Sequence, residues 1–198
     1  MFQDIQSAVD ATPAEGAEIH IKSGVYRQKV TVEKPRIRMI GEGDVKIVWN
    51  DGAKKLLPDG TPMGTFNSYT FFVGASDFTA ENITFENDAG CGKQAGQALA
   101  AYVDADRVHF RNCRFLGWQD TLFTGPLPPK EIIPGGFKGP RQYAPRINGR
   151  QYYENCYFRG DIDFIFGSAT AYFSGCEFYS NDLGEKINGF VTAPSTAE

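Results

Sequence analysis

Two aspartates occupy the same position in a repeating unit of this sequence. Asp120 lies eight residues after Asn112, and Asp163 lies eight residues after Asn155; these asparagines open the matching segments NCRF and NCYF. Both aspartates have glycine and aromatic neighbours, in GWQDTLF at 117–123 and GDIDFIFG at 160–167. If the repeating units stack, the two carboxyl groups are brought to one face.

Two adjacent carboxyl groups suit acid–base and nucleophilic chemistry. Like charges about 5 Å apart cannot both ionise freely, so one carboxyl group should hold its proton while the other stays an anion. A general acid and a nucleophile divide their roles in this way, and so do the carboxyl groups of a retaining glycosidase. A single aspartate would ordinarily be a solvated turn residue, but two in register favour a functional site.

Two glutamines favour acyl chemistry over glycosidic chemistry. Gln119 directly precedes Asp120, and Gln97 opens the apolar run QALA at 97–100. Neutral amide donors aimed at one point form an oxyanion hole, which a tetrahedral acyl intermediate requires. Either glutamine alone could instead cap a loop or join a polar ladder, so only their combination with the aspartates favours an oxyanion hole.

The repeating unit predicts the elements that position these residues. NITF at 82–85 and GCEF at 175–178 match the two segments above, and the interval of 20 residues between Cys156 and Cys176 is typical of one solenoid coil. Each copy is preceded by an aromatic or apolar residue: Phe78, Val108, Tyr152 and Tyr172.

The strand patterns around these repeats are short and β-branched or aromatic, at 30–32, 37–40, 45–48 and 69–73, whereas only Ile5, Ala8 and Val9 have helical spacing. We therefore predict an all-β fold, a right-handed parallel β-helix that forms one domain over 1–198.

A long loop is predicted between the two aspartates. Residues 124–149 are rich in Pro and Gly and lack periodicity, which is typical of an excursion from a stack of coils. Without this excursion about one coil separates the aspartates. Asp120 and Asp163 should therefore be spatial neighbours, although 43 residues apart in sequence.

Composition excludes several other classes. The net charge of −4 comes without basic clusters, which argues against nucleic-acid binding. No apolar run approaches the roughly 20 residues of a membrane span, and the first residues lack the pattern of a signal peptide. The sequence has only two His and no Cys-x-x-Cys pair, so zinc is not expected.

Cysteines recur at one repeat position. Cys113, Cys156 and Cys176 would form either a ladder of reduced thiols or, in an oxidising compartment, a Cys156–Cys176 disulfide. Both alternatives stay open, and Cys91 has no evident partner.

Taken together, the motifs resemble those of a known family. QALA at 97–100, Gly117-x-Gln119-Asp120-Thr121-Leu122 and DFIFG at 163–167 occur in this order, with Gly24-Val25-Tyr26 upstream. The sequence closely resembles the pectin methylesterases (pectinesterases, carbohydrate esterase family 8), which demethylate homogalacturonan. The resemblance runs from Phe2 to Thr196, and it implies the parallel β-helix of that family.

The resemblance also implies roles for individual residues. Asp163 would be the nucleophile and Asp120 the general acid and then base, while Gln97 and Gln119 would stabilise the anionic intermediate. Thr65, Phe123 and Phe166 would line the substrate groove. The implied protein binds methyl-esterified pectin, uses no metal or organic cofactor, is secreted to the extracellular space or the periplasm, and is a monomer when full length.

The sequence departs from the family pattern at three places. Gln28 replaces a usual Glu at a position expected to be structural, and Phe123 replaces a frequent Tyr. The family also has a later Gly-Arg-Pro-Trp motif whose Arg holds the nucleophile, whereas this sequence stops at Glu198. We expect a truncated member without the C-terminal coils, a poor catalyst unless Arg150 or Arg159 supplies the missing contact.

Other functions need features that the sequence lacks. A pectin-active glycosidase on the same fold would show a Gly-His-Gly element, a lyase would show an acidic calcium cluster, and a serine hydrolase would show Gly-x-Ser-x-Gly. A catalytically impaired carbohydrate-binding β-helix stays an alternative, because the C-terminal Arg motif is missing.

Overall fold

The computed structural model describes residues 1–131 and 133–195. The parts of the sequence resemblance that reach Thr196, and the chain end at Glu198, lie outside the described residues. The helical elements are α1 (Ile5–Asp10), α2 (Gly92–Ala95) and a short 3₁₀ helix (Thr65–Asn67). The strands are β1 (Ala17–Arg27), β2 (Val30–Val32), β3 (Ile37–Trp49), β4 (Phe71–Val73), β5 (Thr79–Asn87), β6 (Ala101–Val103), β7 (Val108–Arg111), β8 (Arg114–Leu116), β9 (Leu122–Thr124), β10 (Arg150–Glu154), β11 (Tyr157–Gly160), β12 (Ile162–Gly167), β13 (Thr170–Ser174), β14 (Glu177–Ser180) and β15 (Phe190–Pro194).

The strands stack as the coils of a parallel β-helix. One sheet has the order β15-β12-β9-β6-β4-β2, so each coil adds one strand to it. The remaining strands form two further faces, because β5 pairs with β7 through its first half and with β8 through its second half. All of these pairings are parallel, which confirms the predicted β-helix.

An interior aromatic ladder confirms the register of the repeats. Phe85 pairs with Phe115, Phe115 with Phe158, and Phe158 with Phe178. Their rings stack at centroid distances of 5.4, 4.9 and 5.3 Å. Each fully buried ring of this kind contributes about 1.5–3 kcal/mol of transfer free energy, so the ladder both fixes the register and stabilises the stack.

Asparagines make the corner between two faces of the helix. Asn82, Asn112 and Asn155 have left-handed φ values of 57°, 52° and 51°, a conformation that asparagine tolerates better than most residues. Asn112 Nδ2 donates to Asn82 Oδ1 at 3.2 Å, which ties one corner to the next. Gly175 has φ 62° at the same repeat position, so the asparagine or glycine that opens each repeat is explained by backbone geometry.

The residues that precede the repeats are not all equivalent. Phe78 and Val108 are buried, but Tyr152 pairs with His109 and with Tyr172, one position further along the strands. A slip of one residue reverses the side of a strand. Tyr152 therefore stacks outside the coil on His109, with the ring centroids 4.8 Å apart, and Tyr172 is exposed.

The predicted N-terminal helix is present as α1. Ile5 and Val9 are buried, and the Asp4 carboxylate accepts from Ser7 N at 2.8 Å as the N-cap. Gln28 Oε1 also accepts from Ile5 N and Gln6 N, at 3.1 and 3.2 Å. Gln28, which replaces the usual Glu of the family, therefore holds the start of this helix.

Two strand predictions differ in detail. The segments 37–40 and 45–48 form one bent strand, β3, and the predicted strand at 69–73 begins only at Phe71. Among the described residues, no strand lies between the end of β9 and the start of β10, in the part of the chain where the long loop is predicted. None of the helices described in the structure is long and apolar enough to span a membrane.

The cysteines of the repeat form a ladder of thiols. Cys113, Cys156 and Cys176 each place Sγ within hydrogen-bonding distance of a backbone carbonyl, those of Ala80, Phe110 and Tyr153, at 3.5, 3.5 and 3.3 Å. All four cysteines, including Cys91, are unbridged in the structure. Burial raises the pKa of the Cys113 thiol, which makes a structural role the simplest account of that residue.

Candidate active site

The register of β9 and β12 brings the two aspartates together. Leu122 pairs with Ile165 and Phe123 with Phe166, and extending this register by two residues pairs Asp120 with Asp163. Asp120 N donates to Ile162 O at 3.0 Å. The two residues therefore lie on neighbouring coils, whose strands are about 4.8 Å apart.

Both aspartates have an unusual backbone conformation. The φ values are 61° at Asp120 and 50° at Asp163, in the left-handed region that costs an ordinary residue about 1–2 kcal/mol. Such strain tends to persist where the surrounding structure overdetermines it, often at functional sites. Because both residues have it, the two side chains leave their coils in the same way.

Close packing behind the aspartates fixes this conformation. Gly117 and Gly160 precede the two aspartates at equivalent positions. A Cβ at Gly160 would lie 2.2 Å from the Phe164 Cβ and 2.7 Å from the Thr121 Oγ1. The buried Thr121 hydroxyl in turn donates to the carbonyls of Trp118 and Arg159 at 3.0 and 3.2 Å. The glycines of the two sequence motifs thus allow the close approach of neighbouring turns.

The environment of Asp120 favours its protonated form. Only 8% of the residue is exposed. Burial, followed by the charges of Asp163 and Asp161, raises the pKa of the Asp120 carboxyl to about 8. Asp163 is only partly buried. The pair therefore has the asymmetry that a general acid beside an anionic carboxylate requires.

Asp161 is a third carboxylate that the sequence reasoning did not single out. It is buried, its Oδ1 accepts from Ile162 N at 2.5 Å, and burial raises its pKa. Its backbone N donates to Trp118 O at 3.2 Å, which places it on the coil next to the Asp120 turn. The signal was present in GDID at 160–163, where two aspartates flank one isoleucine.

The two glutamines lie on neighbouring coils beside Asp120. Ala98 N donates to Gln119 O at 3.1 Å, so the segment that begins at Gln97 runs next to the one that ends at Asp120. Both glutamines are partly exposed. Within residues 1–131 and 133–195 neither side-chain amide has a hydrogen-bond partner, so each amide is free to donate to a bound group.

The three predicted groove residues differ in accessibility. Phe166 and Thr65 are partly exposed, and Thr65 O accepts from Ser68 N and Ser68 Oγ at 3.1 and 2.6 Å. Phe123 is only 1% exposed. Its ring lies 4.9 Å from that of Phe166, so it packs beneath Phe166 and offers no open face.

Neither candidate arginine contacts the aspartates. Arg150 Nη2 lies 2.6 Å from Asp106 Oδ2, and Arg159 Nη2 lies 3.7 Å from Glu86 Oε1. In the part of the chain that the structure describes, the Asp120 and Asp163 carboxylates have no salt-bridge partner. No group of three or more His, Cys, Asp or Glu residues there is arranged to hold a metal ion.

Comparisons with known proteins agree with the coil geometry. The fold and site define a parallel β-helix protein with two carboxylates on one outer face. The Pectinesterase family model matches residues 1–126 and 143–198. The chain belongs to the pectinesterase family.

Individual relatives cover nearly all of the chain. Pectinesterase 31 of Arabidopsis thaliana is 37% identical over 98% of this chain and 56% of its own length. A pectin methylesterase from Yersinia enterocolitica superposes with a TM-score of 0.82 at 29% identity, over 98% of this chain and 61% of that chain.

A second solved structure, a pectin methylesterase in complex with a hexasaccharide, has a TM-score of 0.79 at 30% identity and covers 98% of this chain and 57% of that one. This chain therefore spans somewhat more than half the length of these relatives.

Proposed function

We propose that this chain carries the catalytic pair of a pectin methylesterase, which hydrolyses the methyl esters of homogalacturonan and releases methanol. The observation that carries the proposal is the pair Asp120 and Asp163 on adjacent coils, with the Asp120 pKa raised to about 8. Family membership and a relative bound to a hexasaccharide support a polysaccharide substrate.

The first half-reaction forms an acyl-enzyme. A carboxylate oxygen of Asp163 attacks the C6 carbonyl carbon of a methyl-esterified galacturonate unit. The Gln97 and Gln119 amides donate to the oxygen that becomes anionic. As the tetrahedral intermediate collapses, the bond to the methoxy oxygen breaks and Asp120 donates its proton to that oxygen. Methanol leaves, and Asp163 is joined to the substrate as an anhydride.

The second half-reaction uses the same residues in reverse. The ionised Asp120 takes a proton from a water molecule while the water oxygen attacks the anhydride carbonyl. The same amides stabilise the second tetrahedral intermediate. Its collapse releases the galacturonate carboxyl group and the Asp163 carboxylate, with Asp120 protonated again. These steps require no metal or organic cofactor.

The groove would bind the polymer beside this pair. We assign Thr65 and Phe166 to the groove surface and Phe123 to the layer beneath it, on the basis of their exposure and contacts. Membership of the pectinesterase family further supports an extracellular or periplasmic location and a monomeric full-length form.

Methanol release from highly methylated pectin tests the proposal. Asp163→Asn should reduce the rate to background, because an amide cannot form the anhydride. Asp120→Asn should also slow the reaction severely, because the amide has no acidic proton to give. The matched control is Asp44→Asn, which changes an exposed aspartate on β3 and should keep the parent rate.

The alternatives have distinct outcomes in the same assay. Parent-like activity in Asp163→Asn would assign the nucleophile to another residue. Shortening of the polymer without methanol release would indicate a glycosidase. Binding of pectin without either reaction would indicate the impaired carbohydrate-binding form.

A further inference from the structure

A segment that the family model does not match lies against the proposed groove. Residues 127–142 fall between the two matched stretches. Leu127 and Phe137 of this segment are buried, and they pack in one cluster with Phe66, Tyr102 and Phe123. The segment therefore covers part of the outer face of the sheet that carries β9 and β12.

An aromatic row crosses this covered face. Phe72, Tyr102, Phe123 and Phe166 lie on the successive strands β4, β6, β9 and β12, with centroid distances of 5.1, 4.8 and 4.9 Å along the row. The first three are fully buried, whereas Phe166 is partly exposed. The open part of the row is therefore confined to the ring that follows Asp163 by three residues.

The Phe66 ring covers this row, and residues of the unmatched segment pack against Phe66. The Phe66 ring lies 5.0 Å from Phe123 and 6.4 Å from Phe166. Phe137 packs edge-on against Phe66 at 5.9 Å. Gly139 passes so close that a Cβ there would lie 2.8 Å from the Phe66 Cβ. Asn67 Nδ2 also donates to Lys138 O at 3.1 Å.

The segment is itself anchored at its far end. Arg141 Nε donates to Asp104 Oδ2 at 3.1 Å, and the Asp104 side chain is only 4% exposed. Arg146, just beyond the segment, donates to the carbonyls of Pro128, Arg141, Gln142 and Ala144. Its guanidinium also lies 5.7 Å from the centroid of the Phe137 ring. These contacts hold the described part of the segment, 127–131 and 133–142, in one arrangement.

We propose that residues 127–131 and 133–142 form a fixed wall that ends the substrate groove at Phe166, and that Phe137 is a positioning residue that holds Phe66 in this wall. The inference rests on the proposed function and extends it, because it identifies what limits sugar contacts on this side of the aspartates. A sugar ring then packs on Phe166 and beside Thr65, and it has no access to Phe123 or Tyr102.

Steady-state kinetics of Phe137→Ala on methyl-esterified pectin test this role. The variant should raise KM roughly three- to tenfold, the scale of one lost aromatic pair. Its kcat should change by less than about twofold, because Phe137 contacts neither the two aspartates nor the two glutamines of the proposed site. Phe137→Leu should recover part of the change in KM. Tyr143→Ala, which removes a ring that is 92% exposed nearby, should match the parent.

Hydrogen exchange gives a readout that does not need activity. Exchange at 64–68 should be faster in Phe137→Ala than in the parent and in Tyr143→Ala, because Phe66 and Asn67 lose their support. Unchanged exchange there overturns the positioning role, and so does a loss of kcat at constant KM. If the parent releases no methanol, the proposed function fails, and the exchange comparison alone decides whether Phe137 positions Phe66.

Discussion

At the scale of single residues, the decisive feature is the unequal environment of two chemically identical side chains. Asp120 is almost fully buried and has two carboxylate neighbours, Asp161 and Asp163. Asp163 is partly exposed. Burial penalises the charged form most strongly where a side chain has the least water, so the fold itself assigns the proton to Asp120.

The raised pKa of Asp120 predicts the alkaline limb of the reaction. The proposed acid works only when protonated, so kcat/KM for methyl-esterified pectin should fall as the pH rises through about 8. Asp161→Asn removes one neighbouring negative charge. This substitution should lower the pKa of Asp120 and move the limb to lower pH. The shift should be smaller than the combined effect of burial and Asp163, because Asp161 is the smallest of the three causes. A pH profile of methanol release measures the shift, and Asp44→Asn should leave the limb in place.

The raised pKa of Asp120 also makes the stability of the fold depend on pH. Because the pKa of Asp120 is higher in the folded state than the ordinary value of 3.8, its contribution to stability is fully present below pH 3.8 and is lost as the pH rises to about 8. Asp120→Asn should thus unfold at higher denaturant concentration than the parent at pH 9 and show little difference at pH 4. Equal midpoints at both values would contradict the assignment of the buried proton.

At the scale of elements, the site is formed by a short helix as well as by the strands. The strands set the spacing of the aspartates, and α2 passes directly beside the amide of Gln119. A Cβ at Gly92 would lie 2.3 Å from the Gln119 Oε1 and 3.2 Å from its Cβ. The glycine at the start of this one-turn helix therefore leaves the space in which the proposed oxyanion donor lies.

Gly92→Ala tests this dependence. The added methyl group should displace the flexible end of Gln119 and lower kcat, up to the roughly 10²–10³ that one oxyanion donor is worth. Stability should change little, because alanine suits a helix better than glycine does. Gln94→Ala, on the exposed side of α2, is the control. Methanol release together with thermal unfolding separates the two effects, and a Gly92→Ala variant with parent-like kcat would rule out this role for Gly92.

Elements also explain which sequence predictions succeeded. The recurrent Asn or Gly of each repeat forms a corner and the recurrent Phe an interior ladder. The alignment of NCRF with NCYF therefore predicted the register of the coils, in which Phe115 stacks on Phe158 and β9 pairs with β12. Tyr152 and Tyr172 were grouped with Phe78 because hydrophobicity does not reveal a slip of one residue along a strand. The cover over Phe123 was not predictable, since it depends on a segment without periodicity.

At the scale of the whole molecule, the coils form a one-dimensional stack that is least buried at its C-terminal end. Within the described residues β13, β14 and β15 each pair on one side only. Phe158, one coil earlier, is fully buried, but Phe178 is 42% exposed and Phe190 is 59% exposed. Open strand edges with apolar side chains are templates for pairing with another chain.

We therefore expect this 198-residue chain to self-associate through its last coil. The Phe178 ring stacks on Phe158 at 5.3 Å with its other side open. Phe178→Lys places a charge at this surface and should shift the chain toward the monomer at a given concentration, because pairing would then bury an unpaired ammonium group. Ile147→Lys adds the same charge at an exposed apolar residue of the long excursion and should leave association unchanged. Sedimentation over a range of concentrations makes the comparison. A parent chain that is monomeric at every concentration would rule out self-association. Two lysine variants that behave alike would show that the contact lies away from Phe178.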